Sequence, residues 1–178
     1  MLVVAYGKIL PEWFLNSPLK ESINVHYSLL PKYRGASPIQ SALLNDEKIT
    51  GISLMKMTDG LDEGPVYVFH KQEILNTDNR NTLEDKLTSL AIKNIDKDLS
   101  DIYLNKLIPI KQDSKNTSYC EKINKLSGKI IFDQEKTSNI FRKFKAYFGW
   151  PGLYFEFKGL KIKIHGIDVK ISNITDSE

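Results

Sequence analysis

Three side chains in the first half of the chain have the types and spacing needed to act together on a carbonyl. Asn24 and His26 are separated by one residue in Ile23-Asn24-Val25-His26-Tyr27, a short apolar stretch that reads as a strand running into a loop. Residues two apart on a strand point to the same face, and at the C-terminal edge of an α/β sheet that face meets the ligand crevice. An amide there can donate to a developing oxyanion. An imidazole there titrates near neutrality and can take a proton from an attacking amine. Asp62 lies in Met57-Thr58-Asp59-Gly60-Leu61-Asp62-Glu63-Gly64-Pro65, where Gly60 and Gly64 let the backbone pass close to a ligand. A carboxylate at that position can orient His26 and stabilise its charged form if the fold brings them together. Spacing alone leaves a plainer reading open. A histidine near a strand end is more often a satisfied structural residue, an aspartate in a glycine-rich loop more often forms a turn, and Asp59, Glu63 and Arg34 can be solvated surface.

The elements that must position these groups are legible in outline. Residues 1–6 form a short apolar run ending at Gly7, the pattern of a buried strand and its turn. A strand of parallel type needs cover on both faces, so the sequence reads as beginning partway into a domain. A short helix is expected from Pro11 to about Asn16, a strand over 23–27, and a loop over 28–36 carrying Pro31 and Gly35. Ser37-Pro38 predicts a helix start, with Ser37 as the cap, and a helix to about Leu44. Strands are expected over 50–57 and 66–74. From Asn81 to about Leu107, Leu83, Leu87, Leu90, Ala91, Ile95, Leu99 and Ile102 recur at helical spacing. Asn81 with Glu84, or Thr82 with Asp85, offers that helix a cap. Residues 108–117 lack a period and read as a linker.

The second unit, 118–178, is expected to open with a short helix or loop to Leu126 and a short strand over 129–132. A helix over 137–148 would follow, with Ile140, Phe141, Phe144 and Phe148 on one face. A hairpin turning at Lys158-Gly159 comes next, then a further strand from Val169 to Ile171 and a polar tail from Thr175. Of the three histidines, His70 and His165 fall in strand-like segments and read as structural.

Composition sets the class. Hydrophobic residues make up 41% and charged residues 26% of 178, enough for one full domain or two small ones with a buried core. A single cysteine, Cys120, allows no internal disulfide and makes a reducing cytoplasm the default. No apolar run is long enough for a membrane span. From Cys120 to Lys170 there are 11 Lys and Arg against 5 Asp and Glu, a net +6, whereas residues 1–119 carry 14 against 15, a net −1. A basic C-terminal part suits a polyanion such as RNA. With 22 Lys and only 3 Arg, charge alone fits a solvated lysine-rich surface as well.

A resemblance weighs these readings. Asn24-x-His26-x-Ser28-Leu29-Leu30-Pro31-x-Tyr33-Arg34-Gly35-Ala36 resembles the signature of the folate-dependent formyltransferases. Gly60-Leu61-Asp62-x-Gly64 follows at that family's spacing, and Val3-Val4-Ala5-Tyr6-Gly7 with Leu10-Pro11 is similar to the segment preceding the signature. Gly35-Ala36-Ser37-Pro38-Ile39-Gln40 is similar to the methionyl-tRNA branch. Tyr119-x-Glu121-Lys122-Ile123, Gly128-Lys129-Ile130 and Trp150-Pro151-Gly152 resemble that branch's C-terminal barrel. The resemblance implies an α/β fold: the C-terminal half of a doubly wound, Rossmann-like catalytic domain over 1–107, a linker over 108–117, and a partial OB-like β-barrel over 118–178.

For function, the resemblance implies transfer of a formyl group from 10-formyltetrahydrofolate to the α-amine of initiator methionyl-tRNA, by a monomeric, cytoplasmic enzyme without metal or membrane. Asn24 would hold the oxyanion, His26 would accept the proton, and Asp62 would pair with His26. Ala5, Tyr6, Gly7, Leu10, Met57, Thr58 and Gly60 would hold the pterin end of the folate. Ser28, Pro31, Arg34 and Gly35 would shape the floor and the acceptor entrance. Against the family pattern, the half-domain that precedes the opening segment is not represented, the barrel stops early, and Thr58 stands where an acidic residue is common. Weak or absent turnover by the chain alone is therefore expected, as for a fragment of a split gene. Two rival readings stay open: a sibling enzyme acting on an amino-sugar nucleotide, and a tRNA-binding remnant without turnover.

Overall fold

A computed structural model describes residues 1–7 and 10–168. The expected strand from Val169 and the tail from Thr175 lie outside the described residues. The central element is a mixed four-stranded sheet in the order β1-β2-β4-β5. It comprises β1 (Leu2–Val4), β2 (Ile23–His26), β4 (Ile49–Lys56) and β5 (Val66–Glu73). Only β1 and β2 run parallel; β2/β4 and β4/β5 are antiparallel. The register sets Asn24 between Val3 and Met55 and His26 opposite Ser53, at the C-terminal end of β2. That end is where the chain leaves the sheet and where side chains of an α/β layer meet a ligand. The strand β3 (Arg34–Gly35) stands apart from this sheet.

Helices pack on this sheet through the periodic apolar positions. Helix α1 (Glu12–Leu15) is short, α2 is Pro38–Leu44 and α3 is Arg80–Tyr103. On α3, Leu83 and Leu87 are fully buried, and Leu90, Ala91, Ile95, Leu99 and Ile102 pack against the same core as Ile23, Val25, Ile52 and Leu54. The 3.6-residue stripe is thus the buried face. The cap of α3 differs from both expected pairs: Asn79 caps it, accepting the N–H groups of Asn81 at 2.9 Å and Thr82 at 3.2 Å, while the Thr82 hydroxyl accepts the Asn79 N–H at 3.0 Å. The helix ends earlier than expected, just before Asn105 takes φ +56° and turns the chain away. Ser37 sits at the start of α2 with Pro38 in the first turn, but its hydroxyl does not cap the helix; it donates to the Glu121 carbonyl.

The C-terminal segment contributes to the same core. Helix α4 (Thr137–Ala146) lies on α2, and Ile130, Ile140, Ala146, Tyr147 and Leu153 join the cluster that contains the sheet. The hairpin of β7 (Leu153–Phe157) and β8 (Leu160–Ile164) forms as expected. The expected strand over 129–132 is reduced to a single bridge between Lys129 and Tyr154. The stretch read as a short helix or loop opens instead with the two-residue strand β6 (Tyr119–Cys120), which pairs in parallel with β3. Among the described residues these strands form two-stranded sheets and not a closed barrel. The segment read as a linker also pairs back: Ile110 bridges Val66 with two backbone bonds of 2.8 Å. No helix among the described residues is long and apolar enough to cross a membrane.

Candidate active site

The end of β2, the loop after β1, the start of α2 and the loop from Met57 to Asp62 enclose a cavity of about 470 Å³. That is within the usual range for a small-molecule site. Asn24, His26 and Asp62 all line it, so the fold brings together three residues that the sequence separates by up to 38 positions. Ala5, Tyr6, Gly7, Leu10, Met57, Thr58, Gly60 and Gly35 line it as well. Leu15, Gln40, Arg80 and Glu84 join them without having been singled out from spacing. Arg80 and Glu84 belong to the first turns of α3, and their i,i+4 ion pair of 3.0 Å follows from helix geometry once Asn79 fixes the helix start.

His26 is 6% exposed, held at one ring nitrogen and facing a carboxylate with the other. Nε2 is 2.9 Å from the carbonyl oxygen of Tyr33. A carbonyl can only accept, so Nε2 carries the hydrogen and the neutral ring has its lone pair at Nδ1. Nδ1 is 3.7 Å from Oδ2 of Asp62. Tyr33 turns its carbonyl back by adopting φ +59°, a left-handed conformation unfavourable for a bulky residue. Its hydroxyl is anchored on Glu47 at 2.7 Å, and burial together with that carboxylate pushes the phenol well above its ordinary range. Asp62 also lies at positive φ, +52°, which aspartate tolerates better. Its Oδ2 accepts the Gly35 N–H at 2.8 Å. A wholly buried hydroxyl fixes the loop after β2 to β4: Ser53 Oγ donates to the Ser28 carbonyl at 2.6 Å and accepts the Leu30 N–H at 3.1 Å.

Three residues expected to shape the floor and the acceptor entrance do not line this cavity. Ser28, Pro31 and Arg34 are not among the described lining residues. Ser28 is fully buried and donates to the Lys32 carbonyl at 2.6 Å. Pro31 follows a cis peptide bond, and its carbonyl accepts the Ser118 N–H at 3.2 Å. Arg34 is 7% exposed, with its guanidinium on the side-chain oxygen Oε1 of Gln112 at 2.8 and 3.0 Å and on Glu63 at 3.3 Å. Gly64, expected to admit a ligand, lies against backbone instead: a Cβ there would stand 1.7 Å from the Lys56 carbonyl oxygen. His70 pairs with Asp98 at 2.6 Å between β5 and α3, away from the cavity. Burial pushes the Cys120 thiol up, and its sulfur faces the Arg34 carbonyl at 3.2 Å. Among the described residues, no group of three or more His, Cys, Asp or Glu side chains is placed to hold a metal ion.

This geometry suits attack on a carbonyl: a donor amide, an imidazole lone pair and a carboxylate share one cavity, with the ring's tautomer set by a backbone acceptor. Comparison with known proteins agrees with that chemistry. The family described as formyl transferase matches residues 1–99. A methionyl-tRNA formyltransferase of Nitratiruptor sp. is 45% identical over 154 residues, 86% of this chain and 49% of that protein. One from Dictyoglomus thermophilum is 50% identical over 125 residues, 70% of this chain and 40% of that protein. The chain therefore spans about half the length of these curated relatives. Among solved structures, a 4-N formyltransferase from Francisella tularensis shares the fold at TM-score 0.78 and 23% identity, over 96% of this chain and 71% of that one. An N-formyltransferase from Helicobacter canadensis, in complex with folinic acid and dTDP-3-aminofucose, does so at TM-score 0.67 and 25% identity, over 79% of this chain and 54% of that one. The matched segment contains β1, β2 and the loops that carry Asn24, His26 and Asp62, and on these grounds the chain belongs to the formyl transferase family.

Proposed function

We propose that the chain carries the reacting centre of an enzyme that transfers a formyl group from 10-formyltetrahydrofolate to the α-amine of initiator methionyl-tRNA. The observation that carries this reading is the state of His26: with Nε2–H committed to the Tyr33 carbonyl, the Nδ1 lone pair lies 3.7 Å from Asp62, in a cavity shared with Asn24. Folate would occupy the apolar part of that cavity, between Ala5, Tyr6, Gly7 and Leu10 on one side and the Met57–Asp62 loop on the other.

The amine attacks the formyl carbon, a C–N bond forms, and the carbonyl opens to an oxyanion that accepts the Asn24 side-chain N–H. His26 takes the amine proton at Nδ1, and the Asp62 carboxylate stabilises the resulting imidazolium. Collapse breaks the bond to N10 of the folate, and His26 returns the proton to that nitrogen. An oxyanion donor and a general base each supply roughly 100-fold or more in enzymes of this kind.

The same reading treats 1–107 as the catalytic half, 108–117 as connector, and α4 with the β7–β8 hairpin as part of a small barrel facing the tRNA. The net +6 over 120–170 supports it, as do the exposed Lys158, Lys161 and Lys163 of the hairpin. A monomer acting in the cytoplasm belongs to this proposal. The likeness to the Helicobacter canadensis protein, solved with an amino-sugar nucleotide, favours one second reading in which the acceptor is a sugar amine. Formyl transfer by this chain and by His26→Ala, with methionyl-tRNA and amino-sugar nucleotides as competing acceptors, tests both. Turnover on methionyl-tRNA, weak for this half-length chain, that disappears in the variant would support the first reading. Turnover on the sugar alone would move the reading to the second acceptor, and no turnover on any amine would remove the activity from this chain.

A further inference from the structure

Gln112 lies outside the segment matched by the family and is not among the described residues lining the cavity. Its side chain is nevertheless fully committed around Asp62. Nε2 donates to the Asp62 carbonyl at 2.8 Å and to the Gly64 carbonyl at 2.7 Å. Oε1 accepts Nε and Nη2 of Arg34 at 3.0 and 2.8 Å. Two hydrogens and two acceptor sites are thus all used. The two carbonyls bracket Glu63, so Gln112 pins the turn in which Asp62 holds φ +52°. Arg34 immediately precedes Gly35, whose N–H binds Oδ2 of the same Asp62. The contacts close a ring: Gln112 to Arg34, along the backbone to Gly35, to the Asp62 carboxylate, and from the Asp62 carbonyl back to Gln112.

The chain after Gln112 fixes the histidine side of the pair. Ser118 accepts the Arg34 N–H on its carbonyl at 2.9 Å and the Tyr33 N–H on its hydroxyl at 2.9 Å. Tyr33 is the residue whose carbonyl holds His26 Nε2. We infer that Gln112 is a positioning residue for Asp62, acting through the 62–64 turn and Arg34 to hold the carboxylate against His26; the inference rests on the proton-transfer role proposed for that pair.

The Gly35 amide proton reads the contact directly, because its bond to a carboxylate is charge-assisted. NMR of the whole chain would compare the parent, Asp62→Ala, Gln112→Ala, Gln112→Glu and Lys111→Ala. Gln112→Glu keeps oxygens for Arg34 and loses both donors to the turn, so it separates the turn from the arginine. Both Gln112 variants are expected to move the Gly35 amide to its Asp62→Ala position, and exposed Lys111 to leave it in place. Where the parent turns over, kcat should fall on the order of 100-fold, the size of a misplaced reacting group, with folate KM held. A folded Gln112 variant with the parent Gly35 amide position would overturn the inference. Loss of folding in both Gln112 variants would also overturn it, by making Gln112 a support of the fold and not of the turn. A parent without turnover would remove the proposed activity while the amide position still decides the role of Gln112.

Discussion

The carboxylate of Asp62 stands 3.7 Å from Nδ1 of His26 through the same oxygen that accepts the Gly35 N–H at 2.8 Å. One oxygen therefore serves both the backbone and the ring. The shorter contact fixes the carboxylate, and the longer one leaves the Nδ1 lone pair close to a negative charge without a hydrogen between them. In the proposed transfer that lone pair takes the amine proton, and the pair then becomes an ion pair in a part-buried site.

Asp62→Asn tests the charge separately from the shape. Asparagine retains an oxygen for the Gly35 N–H but cannot stabilise the imidazolium. Steady-state formyl transfer should show kcat reduced by about tenfold at least, and at most by the roughly 100- to 10,000-fold that a whole general base supplies. Folate KM should stay within about twofold, since uniform binding is untouched. An unchanged kcat would sink the role given to the carboxylate.

Asn24→Asp tests the oxyanion role proposed for the Asn24 amide. The replacement is nearly isosteric on β2, between Val3 and Met55, but it removes the N–H and sets a negative charge beside the developing one. The expected loss in kcat is about 100- to 1,000-fold or more, with the thermal transition close to that of the parent. Equal rates in parent and variant would show that the oxyanion is held by other donors.

How far these positions were legible follows from the range of the interactions. Asn24 and His26 share a face because strands alternate, a local rule, and Leu83 to Ile102 form the buried stripe of α3 for the same kind of reason. The Arg34 side chain was not legible. A long cation beside a glycine-rich turn fits a substrate contact, yet its fork is claimed by Gln112, 78 residues away. Strand β6 was equally hidden, since two residues carry no period and its pairing with β3 spans 85 positions. The α3 cap was missed for a different reason: Asn79-x-x-Thr82 closes a capping box with threonine where glutamate or glutamine is the usual sign.

Glycines 60 and 64 look alike in sequence and should respond oppositely to alanine. A Cβ at Gly64 would stand 1.7 Å from the Lys56 carbonyl, whose residue ends β4 and pairs with Pro65 at 2.9 Å. Backbone must move there, and a loss of about 1–3 kcal/mol, the range for overpacking, is expected in urea unfolding. At Gly60 the nearest atoms belong to the Glu63 carboxylate, 2.7 Å away at the far end of a flexible side chain. Gly60→Ala should unfold within about 0.5 kcal/mol of the parent. Equal destabilisation by both would contradict the close approach at Gly64.

Acid should weaken the fold through Asp78. Asp78 is 3% exposed at the start of α3, and burial works against its charge. The Lys86 ammonium at 2.7 Å, the Leu75 N–H at 2.8 Å and the Thr82 hydroxyl at 3.1 Å outweigh that penalty, so its carboxyl ionises below the usual range. A depressed folded-state value stabilises the fold at pH above the unfolded-state value of about 3.9 and loses that contribution as pH falls through the lower folded value. Asp78→Asn removes the charge at every pH. Urea unfolding should therefore show the parent more stable by about 1–3 kcal/mol at neutral pH, the cost of breaking a buried bond to a charged group. That gap should hold down to about pH 5 and close below about pH 4. A gap that stays constant into acid would mean that the network stabilises through shape alone.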